Sequence, residues 1–76
     1  MWKLNKQDNT VRTTINGWML IIDNEKSGIN QHWWRIARRS SLVGCGNADT
    51  IEDAKNHLTE WANTHNYVGK GQIEKV

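Results

Sequence analysis

The sequence predicts an α+β domain: a three- to four-stranded antiparallel meander with one C-terminal helix packed on one face. Three observations predict it. Asn16-Gly17 sits between two runs of alternating polarity, Thr10–Ile15 and Trp18–Asp23. HWWRIARR (His32–Arg39) is followed by a polar turn and a second apolar run, LVGCG. NADTIEDAK then opens a stretch whose apolar residues recur at helical spacing.

The first hairpin is the best specified element. Asn-Gly supplies the positive φ values of a type I′ turn, which matches the right-handed twist of two strands joined by two residues. With that turn, Ile15 faces Trp18, Thr13 faces Leu20 and Val11 faces Ile22. Five of these six side chains are apolar, so they form a core face. Arg12, Thr14, Met19 and Ile21 fall on the other side.

NEKSGINQ (24–31) is polar with one glycine and reads as a loop. HWWRIARR is the third strand and LVGCG the fourth, joined by a turn at Arg38–Ser41. Neighbouring side chains on a strand point to opposite faces, so Trp33 and Trp34 must part. Pairing across the turn assigns Trp34, Ile36, Val43 and Cys45 to the core. Trp33, Arg35, Ala37, Leu42 and Gly44 fall on the opposite side.

Asp49 or Thr50 caps the helix, with Glu52 or Asp53 closing a capping box three residues later. The acids at its start suit the helix dipole. Ile51, Ala54, Leu58, Trp61, Ala62 and His65 make the buried stripe, and the helix is expected to end near His65 or Asn66. Residues 1–10 form an N-terminal segment that adds an edge strand or frays, 11–66 the single β-β-β-β-α domain, and 67–76 a tail.

At 76 residues, with five tryptophans and no phenylalanine, the chain is near the lower limit for a self-sufficient core. Each buried tryptophan removes about 150–250 Å² from water, so two or three supply much of that core. Ten basic against eight acidic residues give a formal +2, too little to imply nucleic acid and contrary to an acidic DNA mimic. The lone Cys45 excludes an internal disulfide and fits a reducing compartment. MWKLNKQDN has no signal-peptide h-region, and the longest apolar run, Trp18–Ile22, is far too short for a membrane span. A cytoplasmic protein with no membrane partner is expected.

A single helix covers one side of a sheet. The uncovered face is expected to carry the binding residues Trp33, Arg35, Arg12, Met19, Ile21 and Leu42, with Arg38 and Arg39 beside them. Tryptophan, methionine and arginine are enriched at binding interfaces. The alternatives are a homodimer seam, or internal cover by Trp2 and Leu4 or by Tyr67 and Ile73.

No catalytic residue, metal ligand or cofactor is assigned. Cys45 is expected in the core, His57 and Glu60 on a polar helix face, and no C-x-x-C or H-x₃-H spacing occurs. Gly69–Gln72 lacks the remainder of a phosphate loop. Nucleic acid is the alternative partner, held by Lys3, Lys6, Arg12, Arg35, Arg38 and Arg39.

WWRIARRSSLVGCGNADTIEDAKNHL resembles the sheet-to-helix segment of the plant ethylene-response-factor DNA-binding domain. It also resembles that of phage homing-endonuclease and integrase arm-binding modules. Gly46 and Thr50-Ile51-Glu52-Asp53-Ala54 match the glycine after the last strand and the T-x-E-[ED]-A helix start, and the likeness runs from Trp33 to Trp61. It implies a DNA-binding sheet, but the family's DNA-reading arginine and tryptophan fall here at Leu42 and Gly44, so neither role is carried over. The stretch is also similar to Hic-type antitoxins and to double-stranded-RNA-binding domains, without the former's proline-containing strand or the latter's lysine-rich helix start. In type, a small tryptophan-rich domain lacking a catalytic set resembles phage-encoded inhibitors of host factors, such as anti-CRISPR and antirestriction proteins. That likeness implies a non-enzymatic protein that docks on a host complex.

Overall fold

The computed structural model describes residues 1–65. Five strands run as an antiparallel meander in the order β1 (Lys3–Asn5), β2 (Thr10–Ile15), β3 (Trp18–Asp23), β4 (His32–Arg38) and β5 (Ser41–Ala48). Helix α1 (Ile51–Thr64) follows and packs on one face. The α+β meander is as expected, with one strand more than the three to four predicted. The extra strand is β1, which pairs Lys3 with Arg12, Leu4 with Val11 and Asn5 with Thr10.

Asn16 (φ 53°) and Gly17 (φ 85°) both have positive φ, as a type I′ turn requires. The register is the expected one, with Ile15 opposite Trp18, Thr13 opposite Leu20 and Val11 opposite Ile22. Trp18, Leu20, Ile22 and Ile36 meet Ala54, Leu58 and Ala62 of the helix in the buried core. Trp34, Ile51 and Trp61 pack around it. The expected helix stripe therefore faces the sheet, although His65 is the exposed C-cap residue.

Both helix ends are closed by identifiable groups. Thr50 is the N-cap, and its Oγ1 accepts from the Asp53 amide at 3.0 Å. Thr50→Ala is expected to cost about 1 kcal/mol in urea denaturation, because one helix amide loses its acceptor. At the other end, orphan carbonyls are taken up by the first hairpin. Asn16 Nδ2 donates to Ala62 O at 3.0 Å, and Trp18 Nε1 donates to His65 O. Trp18 also meets Trp61 edge to face at 5.0 Å, and Trp61 stacks on His65 at 4.2 Å.

The second hairpin departs from strict alternation. Ala37 pairs with Leu42 but Ile36 pairs with Gly44, so Val43 is an extra residue in a β-bulge. Beyond it the faces of β5 exchange. Gly44 and Gly46 lie opposite Ile36 and Trp34 on the helix side, while Cys45 lies opposite Arg35 on the outer side. The expectation that Cys45 and Val43 enter the core is thereby corrected: Cys45 is exposed, and Val43 is 49% exposed. Gly44, expected outside, is on the covered side.

The N-terminal segment also takes a definite side. Leu4 stands opposite Val11, and Trp2 packs at the margin of the core with the Lys55 ammonium 6.0 Å from its ring. Neither residue folds over the outer face. Tyr67, Ile73, the Gly69–Gln72 segment and the expected tail lie outside the described residues, as does Asn66.

Candidate functional site: the outer sheet face

The register arranges the outer face in rows that cross the strands. The middle row runs Lys3, Arg12, Ile21, Arg35 and Cys45. Toward the Asn16-Gly17 turn lies Thr14, Met19, Ala37 and Leu42. On the other side, Thr10 pairs with Asp23, and Trp33 pairs with Asn47.

Two carboxylates hold the arginines of the middle row. Arg12 Nη2 donates to Asp8 Oδ2, and its Nε donates to Thr10 Oγ1 at 2.9 Å. The Thr10 hydroxyl in turn donates to Asp8 Oδ1 at 2.7 Å. That hydrogen bond, followed by the charge of Arg12, holds the exposed Asp8 carboxyl below its ordinary pKa. The favourable linkage is therefore present above the ordinary carboxylate range and is lost as pH falls through the lowered value. Arg35 Nη2 reaches Asp23 Oδ1 at 3.2 Å.

Ile21 is only 9% exposed, although the helix packs on the opposite side. Its cross-strand neighbours are Arg12 and Arg35, whose long stems flank it while their charged ends reach outward to the aspartates. The middle of the face is thus an aliphatic centre under two neutralised arginines. Exposed apolar groups stand at either end: Met19 (37%) and Leu42 (61%) on one side, Trp33 (39%) on the other.

Six of the eight expected binding residues, Trp33, Arg35, Arg12, Met19, Ile21 and Leu42, share this face. Arg38 does not. It has the parity of Trp34 and Ile36, and its guanidinium lies 5.3 Å from the Trp18 ring on the helix side. Arg39 is exposed in the β4–β5 turn with φ 58°. Sequence reasoning missed Cys45 as a member of the face, because the bulge reverses its direction. It also missed the pairing of Arg12 with Asp8. Asp8 lies in the turn before β2, outside the strand alternation.

An open groove of about 860 Å³ borders the face along β1, lined among others by Lys3, Asn5, Lys6, Thr14 and Met19. Among the described residues, no three His, Cys, Asp or Glu side chains converge on a metal-sized site. No described helix is long and apolar enough to cross a membrane. No family model matches the chain, and no curated protein or solved structure matches it.

Proposed function

We propose that this chain is a non-enzymatic binding protein whose outer sheet face docks on another protein and blocks it. It acts in the cytoplasm, in the manner of phage inhibitors directed at host defence complexes. One observation carries the reading: Met19, Trp33 and Leu42 are exposed together on a face that no described element covers. Exposed apolar groups on either side of a row of arginines have the composition of a binding interface.

The electrostatics favour a protein over nucleic acid. Lys3, Arg12 and Arg35 do form a cationic row, but Asp8 and Asp23 already neutralise the two arginines. Phosphate contact would have to displace a carboxylate from each of them, whereas a protein surface can bury the apolar ends with both pairs left intact between them.

The test is phage plating on cells that carry a defence complex and express the protein. The unmodified chain should restore plaques. Trp33→Ala should lower restoration by roughly 30-fold or more, as expected for a hot-spot residue worth about 2 kcal/mol. Its thermal unfolding should remain nearly unchanged, because a partly exposed side chain contributes little to the core. Equal restoration by Trp33→Ala would sink the assignment. So would tight oligonucleotide binding with a steep salt dependence, which would move the function to nucleic acid.

A further inference from the structure

The two edges of the sheet are built differently. β1 is three residues long, carries Lys3 and is followed by Lys6. Short strands and lysines are the usual protection against edge-to-edge pairing. β5 is eight residues long, from Ser41 to Ala48, and contains no charged residue and no proline. Its only interruption is the bulge at Val43, and Leu42 and Val43 are exposed along it.

Gly44 adds a separate observation. Its φ is not in the positive range, and a Cβ built on it would meet nothing within 4 Å. Neither backbone conformation nor internal packing therefore requires a glycine there. Gly46, two residues on, differs because the Trp34 indole lies over it. A glycine on a strand marks a bulge, such as the one beside it at Val43, or a place where another backbone approaches closely.

We infer that β5 pairs antiparallel with β5 of a second copy, joining two sheets into one across a two-fold axis. Charge selects this occupant. A two-fold axis sets each residue against the one equally far beyond the axis, so a charge near the middle of the strand stands beside its own copy. β5 carries no charge and escapes that penalty, whereas β1 would bring Lys3, and Lys6 beyond it, near their copies. The pairing gives the outward amides and carbonyls of β5 partners and covers Val43. It does not depend on the role of Trp33.

Sedimentation velocity of the full chain between ~1 and ~500 µM should show conversion from 8.8 kDa to twice that mass. Val43→Lys and Leu42→Lys, both at exposed positions, should shift the equilibrium at least tenfold toward monomer while keeping the circular dichroism spectrum. Trp33→Ala should leave it unchanged. In the dimer, amide exchange at Cys45 and Asn47 should slow as concentration rises. A chain that stays monomeric throughout overturns the inference. So does a dimer that survives both lysine variants with no concentration-dependent protection in β5, because another surface would then hold it together.

Discussion

Trp18→Ala is expected to remove about 3–5 kcal/mol of stability, the range for deleting a buried aromatic side chain. Domains of this size have little to spare, and total stabilities of about 5–15 kcal/mol are usual for larger ones. The variant should therefore be substantially unfolded at physiological temperature. Trp18 is 8% exposed and joins three parts of the fold. It packs in the sheet-helix core, meets Trp61 edge to face and donates its indole N–H to the carbonyl of His65. Its removal opens a cavity and leaves a carbonyl at the helix end without this donor. Trp18→Phe separates these contributions, because it keeps most of the apolar volume and loses the donor. It should cost about 1–2 kcal/mol in urea denaturation followed by circular dichroism. If alanine costs no more than phenylalanine, the packing role assigned to the ring is wrong.

Gly46→Val should be nearly as damaging, at about 1–3 kcal/mol, for the opposite physical reason. A Cβ at position 46 would lie 2.5 Å from Cζ2 and 2.9 Å from Cε2 of Trp34. The indole covers the glycine of its own cross-strand pair, so any side chain there must push the ring away. That ring also contacts His57 of the helix at 5.1 Å, so its displacement reaches the sheet-helix interface. Gly44→Val is the internal control. It has the same chemistry on the same side of the same strand, but space around it. In the monomer it should be neutral or slightly stabilising, through the β-propensity of valine. Equal destabilisation by both variants would show that loss of glycine, and not the Trp34 contact, sets the cost.

These two glycines also mark where the fold was legible in the sequence and where it was not. The first hairpin was readable because Asn16-Gly17 is a local signal that sets turn type and register together. The helix was readable because Thr50 and its acidic first turn precede a regular apolar stripe. Both depend on neighbours within a few residues. The direction of Cys45 depends instead on one extra residue at Val43, and inserting it reverses every side chain that follows. The Gly44-x-Gly46 pattern carried a trace of the reversal, since Trp34 requires a small residue opposite. That six of the eight expected binding residues share one face followed from alternation alone. Arg38 was misplaced by grouping it with Arg39 rather than with Trp34 and Ile36, whose parity it shares. The aspartates that neutralise Arg12 and Arg35 were missed, because loop and strand-end carboxylates have no periodic signature.

The bonds from Asn16 and Trp18 to the end of the helix link residues 46 and 47 positions apart. During synthesis the first hairpin leaves the ribosome before the segment carrying Ala62 and His65 does. Its turn can form at once, but Leu20 and Ile22 then face water until the helix has emerged. An emerged hairpin therefore carries an uncapped apolar ribbon until the segment through His65 has also left the ribosome, and that release is the step that allows it to close.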